Sequence, residues 1–256
     1  MNFFSARTKH REVKTMNGNT GFWPWSERHE GLLEATDPKS FLSVTASKES
    51  YSSMNLGFQF YGKWLLKYFQ EVGLQGRVLD IGCGNGFVAE RILEEFSQVS
   101  NVVGIDINKT AIEMAIAHDK FQPILFDVYQ LNVAEVGTFD AAIFIDVLHH
   151  LRPIDALQQV VSVLRPGGKI VVFDIARNAA GWFIAKFLTT FKIIKSEDFT
   201  ISVLRGYTPT EVRTFLEEVG LEEISVKLVA KHFNAAVAAT TTKRVIKEGL
   251  HAPFFV

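Results

Sequence analysis

The run Arg77 to Phe87, RVLDIGCGNGF, constrains this chain more than any other stretch. An apolar segment carrying one acid, Asp80, breaks into three glycines at alternate positions, Gly82, Gly84 and Gly86, before a helical pattern begins. That order predicts a buried strand, a tight turn and a helix start. Glycine is needed where φ is positive or where a ligand lies against the main chain with no Cβ between them. A helix opening presents unpaired N–H groups and the positive end of its dipole, so the turn reads as a seat for a negatively charged group.

The flanking sequence repeats this unit. From Ser52, the residues Leu56, Phe60, Trp64, Leu65, Tyr68 and Phe69 recur at helical spacing up to Gly73, predicting a helix that feeds the glycine strand. Most of its apolar face reads as core, and Tyr51, Phe58 or Tyr61 stands where it would cover the ligand seat. Beyond the turn, Phe87, Val88, Ile92, Leu93 and Phe96 form one helical face. The pattern then predicts a strand over 101–108 containing Asp106, a helix over 110–118 and a short strand over 123–126 leading to Asp127. A strand over 139–145 follows, ending at Asp146 and running into His149 and His150, and Pro153 opens a helix through Leu164. Arg165-Pro166-Gly167-Gly168 turns the chain into a fifth strand, 169–173, with Asp174 at its end.

Short buried strands alternating with helices predict a doubly wound α/β fold, a parallel sheet covered on both faces. Ligands in such sheets bind beyond the carboxyl ends of the strands. Asp80, Asp106, Asp127, Asp146 and Asp174 all fall at or near those ends. Any one of them is accounted for as a helix cap or turn residue. Together they suggest a site lined from several strands.

After the fifth strand, Trp182, Phe183, Phe187 and Phe191 lie among Lys186, Lys192 and Lys195, predicting one amphipathic helix over 179–199. Its aromatic face suits a cap over an apolar ligand better than a patch on a membrane surface. Thr208 and Glu211 make a capping box with Pro209 at the first helical position, and that helix runs to about Gly220. Strands near 223–231 and 235–242 close the sheet as an antiparallel pair. The expected organisation is a partly flexible N-terminal arm, 1–50, and one domain, 51–256, with a mostly parallel seven-stranded sheet and a helical cap inserted at about 176–206.

Charge and cysteine usage exclude several classes. With 27 basic residues interspersed among 28 acidic ones, there is no basic field for nucleic acid. The single cysteine, Cys83, rules out an internal disulfide or a multi-cysteine zinc site and fits a reducing compartment. As a nucleophile Cys83 lacks any evident base, so it reads as a small buried side chain. No apolar run reaches the roughly 20 residues of a membrane span, and nothing near the start has the form of a signal peptide. The basic start, with Arg7, Lys9, Arg11 and Lys14, reads as an arm rather than a transit segment. The expectation is a soluble, cytoplasmic protein.

The glycine run from Val78 to Gly86, Asp106 beyond it, the Phe139-Asp140 strand and the Leu164 to Gly168 turn together resemble the class I S-adenosylmethionine-dependent methyltransferases. The resemblance covers about Arg77 to Asp174. A nicotinamide dehydrogenase would need GxGxxG. Starting at Gly82, that pattern meets Phe87 where glycine is required; starting at Gly84, it meets Ala89 and begins late.

The resemblance implies a Rossmann-like methyltransferase fold with S-adenosylmethionine as cofactor. The backbone around Gly82, Cys83, Gly84 and Gly86 would accommodate the methionine part, Asp80 the amino end, Asp106 the ribose hydroxyls and Ile107 the adenine face. Asp127 would accept from the adenine amino group, the Val128 N–H would reach a ring nitrogen, and Asp146 would complete the cofactor edge. His149 and His150 with Asp174 resemble the base and orienting partner of small-molecule O-methyltransferases. Adjacent histidines at a helix start should diverge, leaving one of them to act. Asp174-Ile175-Ala176 lacks the Asn of magnesium-dependent members, so no metal is expected. The expected function is in-line methyl transfer to a small, apolar or aromatic acceptor, oxygen first. The alternatives are a regulatory protein retaining only the cofactor pocket and an NAD(P)-dependent oxidoreductase. The acceptor is the expected partner, and oligomeric state is left open.

Overall fold

The computed structural model describes residues 48–191, 198–229 and 236–243, so the arm assigned to 1–50 lies almost wholly outside the described residues. The chain enters through α1 (Lys48–Val72) and continues through β1 (Gly76–Ile81), α2 (Phe87–Glu95), β2 (Val99–Asp106), α3 (Lys109–Met114) and β3 (Phe121–Leu125). Next come α4 (Val133–Val136), β4 (Phe139–Ile145), α5 (Pro153–Val163), β5 (Leu164–Ile175), α6 (Ala179–Thr190), α7 (Asp198–Arg205), α8 (Pro209–Glu218), β6 (Leu221–Val229) and β7 (Ala236–Lys243).

The sheet order is β3-β2-β1-β4-β5-β7-β6. The first five strands pair in parallel, and β7 runs antiparallel to both β5 and β6. The order reverses between β1 and β4, and their carboxyl ends open the crevice where a ligand sits in such a fold. β4 shows how the sheet is buried on both sides. Ala141, Ile143 and Ile145 join the core under α1 and α2, whereas Ala142 and Phe144 join the core under α5 and α8.

Three boundaries differ from the sequence expectation. α3 stops at Met114, because Ile116 is exposed and further helix would bury nothing, while His118 and Phe121 close a short antiparallel bridge instead. β5 starts at Leu164, which pairs with Phe139, and the Pro-Gly-Gly segment is an irregularity within the strand, not a turn before it. The cap is two helices: α6 ends as Phe191 takes the C-cap position, and Asp198 opens α7, where a negative charge favours a helix start. The expected capping box of α8 is present, with the Thr208 hydroxyl accepting from the Glu211 N–H and the Glu211 carboxylate accepting from the Thr208 N–H at 2.7 Å.

Candidate active site

Gly82, Gly84 and Gly86 all have positive φ. Gly86, at φ 80, is the N-cap of α2, and a Cβ there would run into the buried Phe121 ring; a Cβ on Gly82 would press on Val147. Four amides of the turn are spent inside the fold. The Gly82 and Cys83 N–H groups donate to the Ile105 carbonyl at 2.8 and 3.1 Å, Gly86 N–H donates to the Cys83 carbonyl, and Gly84 N–H donates to Asp106 Oδ2 at 2.9 Å. The anion seat expected of the turn is therefore not formed by these groups.

Asp106 ties β2 to the turn: its Oδ1 also accepts from Asn108 N–H at 2.8 Å. Burial raises its pKa, opposed by those backbone donors. Cys83 is buried, its side chain lies where a Cβ on Gly104 would be, and burial followed by the charges of Asp80 and Asp106 pushes its pKa far up. A thiol held so firmly protonated is packing, not a nucleophile. Ile107 is exposed at the rim, Val128 is buried, and Asp127 Oδ1 accepts from Tyr129 N–H.

Beside the turn lies a cavity whose walls include Asp80, Asp146, Gly82, Gly84, Phe58 and Tyr61. Asp80 is 2% exposed, and its Oδ2 has no hydrogen-bond partner. Burial, then the charge of Asp106, raises its pKa to about 8. An orphaned carboxylate oxygen facing a cavity is costly unless a donor arrives, and the ammonium of an amino acid is such a donor. The residues present thus fit the methionine end of S-adenosylmethionine.

Asp146 sits at φ 50 with its N–H bonded to the Phe173 carbonyl at 2.9 Å. The Tyr61 hydroxyl donates to its carboxylate, and the Tyr61 ring stacks on Phe173. Burial and the nearby charge of Asp174 raise the Asp146 pKa to about 6.

Beyond Asp146 the fold gathers residues far apart in sequence. His149 is 2% exposed; its Nδ1 lies 2.5 Å from Asp174 Oδ1, and its backbone N–H donates to Asp174 Oδ2 at 3.0 Å. The carboxylate fixes Nδ1 as the protonated nitrogen, which leaves the lone pair on Nε2. The two histidines do not diverge as expected: in the tight turn 148–150 their ring centroids lie 3.8 Å apart. They differ in environment. The His150 pKa falls well below its ordinary value through burial, then the charges of His149 and Arg205.

Two buried cations that sequence reading passed over lie just past β5 and at the end of α7. Arg177 is buried, its Nε donating to the Gly206 carbonyl and its guanidinium meeting Glu211 at 2.5 Å. Arg205 is buried near His150. Arg205 stands as a lone charge in an apolar stretch, SVLRGY, and that isolation was the available signal; Arg177 follows Asp174 by three residues and carried no such mark. Asp140 lies at the opposite end of the sheet, where it accepts from Arg77 N–H at 2.7 Å and pairs with Arg165. Among the described residues no group of three or more His, Cys, Asp or Glu is arranged to hold a metal, and no helix is long and apolar enough to cross a membrane.

Comparison with known proteins agrees with this fold. Residues 79–172 match the family model described as a methyltransferase domain. A ubiquinone biosynthesis O-methyltransferase from Cronobacter sakazakii is 26% identical over 169 residues, 63% of this chain and 68% of the relative. The enzyme of that name from Pseudomonas aeruginosa is 25% identical over 65% of this chain and 76% of its own length. Among solved structures, the plantazolicin methyltransferase BpumL, in complex with S-adenosylhomocysteine, aligns with TM-score 0.60 at 16% identity, over 84% of this chain and 95% of that one. Human N-acetylserotonin methyltransferase, in complex with S-adenosylmethionine, aligns with TM-score 0.63 at 15% identity, over 86% of this chain and 64% of that one.

Sheet order, glycine turn and strand-end acids define the Rossmann-like methyltransferase fold. With the family match across β1 to β5, the chain is a class I S-adenosylmethionine-dependent methyltransferase, and S-adenosylmethionine is its methyl donor.

Proposed function

We propose that this enzyme methylates a hydroxyl oxygen on a small aromatic or apolar acceptor, with His149 as general base. The observation that carries this reading is the buried His149–Asp174 pair at the ends of β4 and β5, beside the cavity of the glycine turn. A hydroxyl is a weak nucleophile until its proton is removed, and a neutral imidazole with a free Nε2 is suited to remove it. The O-methyltransferase names of the sequence relatives support the same acceptor atom.

In this reading Asp80 takes the cofactor ammonium, and Asp106, with spare lone pairs on both oxygens, takes the ribose hydroxyls. Ile107 and Val128 flank the adenine, and Asp127 accepts from its amino group. When bound, S-adenosylmethionine supplies an electrophilic methyl. His149 Nε2 accepts the acceptor's proton as that methyl is taken up, and Asp174 holds the imidazole in the required tautomer and stabilises the imidazolium. His150, kept neutral by burial, lines the acceptor side. The helices α6 and α7 close over the acceptor; Phe183 and Phe187 lie exposed on α6. The resident compartment is expected to be the cytoplasm.

Transfer of labelled methyl from S-adenosylmethionine to a panel of phenols, catechols, aryl amines and thiols tests the proposal. O-methylated phenols are the expected product. Methylation confined to nitrogen, sulfur or carbon, by protein that binds S-adenosylhomocysteine, overturns it.

A further inference from the structure

The electrical character of the cofactor cavity is lopsided. Two carboxylates, Asp80 and Asp146, line it together with the rings of Phe58, Tyr61 and Phe87, and among the described residues no Lys, Arg or His does. The amides of Gly82, Cys83, Gly84 and Gly86, which would have offset the negative charge, are consumed within the turn or by Asp106. Asp80 is nine-tenths buried and more, with Oδ2 unpartnered. Carboxylates and aromatic faces without a counter-cation make a cavity for positive charge.

S-adenosylmethionine carries two cationic centres, the ammonium and the sulfonium. S-adenosylhomocysteine keeps only the ammonium. With Asp80 assigned to the ammonium, the second carboxylate has the second cation for a partner. Asp146 is also held in place: its backbone is fixed in the left-handed region by the bond to the Phe173 carbonyl, and the Tyr61 hydroxyl donates to it while the Tyr61 ring stacks 5.8 Å from that of Phe173.

Resting on the methyltransferase reading, we propose that Asp146, positioned by Tyr61, is the specificity residue by which the pocket distinguishes the charged methyl donor from its demethylated product. Methyl transfer removes the sulfonium charge, so the attraction to Asp146 disappears at the step that makes product, and S-adenosylhomocysteine is left with the weaker hold. A product that binds more weakly than its precursor leaves sooner. The groups facing Asp146 are Tyr61 from α1, Asp174 from β5 and His149 from the turn after β4. Asp146 gains its proton near pH 6, so the preference for the donor fades in mildly acidic solution. The raised pKa of Asp80 weighs on both ligands alike and drops out of their ratio.

The test is titration calorimetry of the intact chain with S-adenosylmethionine, S-adenosylhomocysteine and sinefungin, which bears an amine in place of the sulfonium methyl. Asp146→Asn keeps a residue that tolerates positive φ. It should weaken the two charged ligands by about tenfold and leave S-adenosylhomocysteine within about twofold. Tyr61→Phe should act in the same sense by about threefold. In unaltered protein the preference for S-adenosylmethionine over S-adenosylhomocysteine should shrink between pH 7.5 and 5.5, the values bracketing the pKa of about 6. In turnover, Asp146→Asn should raise KM for the donor more than it lowers kcat. Equal weakening of all three ligands, or an unchanged ratio at both pH values, overturns the assignment while leaving the methyltransferase reading intact. Failure of unaltered protein to bind any of the three removes both.

Discussion

The cofactor side of the crevice takes its main residues from one contiguous stretch, Arg77 to Asp106, whereas the side proposed for the acceptor assembles His149, Asp174 and Arg205 from separate segments. On the first side the contacts are largely backbone bonds closing a turn: Gly82, Cys83 and Gly86 donate to carbonyls, and Asp106 accepts from two amides. On the second they are side-chain pairs that bridge elements, His149 with Asp174 and Arg177 with Glu211. Substitutions in the turn should therefore lose fold and cofactor together, and substitutions across the bridges should lose chemistry with the cofactor still bound.

The largest effect tests the acceptor side. His149→Ala should lower kcat by about 10²–10³-fold, the worth of a positioned general base, while S-adenosylhomocysteine affinity stays within about twofold. Asp174→Asn should follow it, because an amide offers Nδ1 a poorer partner and no countercharge. Turnover assays beside calorimetry check both. If cofactor affinity fell in step with kcat, the two sides would be one unit.

On the cofactor side, Gly86→Ala places a Cβ at φ 80 against the buried Phe121 ring. Strain and overpacking together should cost about 3 kcal/mol in urea unfolding and abolish S-adenosylhomocysteine binding. Retained binding in a destabilised variant would mean that the turn tolerates distortion and that the side chains carry the affinity.

Asp80 supplies a third test with an opposite sign for stability and binding. Its folded pKa of about 8 lies above the ordinary carboxylate value. In the apo protein the unfolded chain gives up this proton first as pH rises. Apo stability from this group is therefore complete in acid and is lost on the way up to about pH 8. Asp80→Asn should make apo protein more stable at pH 8 by on the order of 2 kcal/mol, with the gain shrinking towards pH 4. The same change should weaken S-adenosylhomocysteine by about tenfold or more, through the lost partner of the ammonium. Thermal unfolding across pH, with and without ligand, reads both. A variant less stable than the parent at pH 8 would show that Asp80 is satisfied in the fold.

The unequal construction also explains what could be read from sequence. The turn was legible because a positive φ at three alternate positions demands glycine, and β4 was legible as a buried strand because a strand covered on both faces reads as a short, nearly continuous apolar run. His149 and Asp174 were legible as strand-end residues and, through the resemblance, as base and orienting partner, but which of the two histidines the acid holds was not, because that depends on how β4 and β5 lie as neighbours and on the tight turn 148–150. The part of the anion seat assigned to the turn itself was not legible, because spacing announces a turn and says nothing of which amides Ile105, Cys83 and Asp106 consume. The histidine rings came together in a tight turn where helical spacing separates them, and the single cap helix became two.

The smallest effect probes whether the two sides are mechanically separate. Glu211 holds both ends of a corner: one oxygen accepts from the Thr208 N–H and hydroxyl, and the other meets Arg177 just beyond β5. Tyr207 beside it reaches the Leu151 carbonyl at 3.4 Å, close to the histidine turn. Thr208→Ala removes one half of the capping box and should cost about 1 kcal/mol of stability by urea unfolding. The loosened Glu211 and Arg177 act on the acceptor side alone. Turnover should therefore fall by about twofold, with S-adenosylhomocysteine affinity unchanged, since Asp80, Asp106 and the glycine turn have no bond to this corner. An equal fall in affinity would make β5 a lever between the two halves, and Asp174, on that strand and next to Asp146, would be the point where the lever acts.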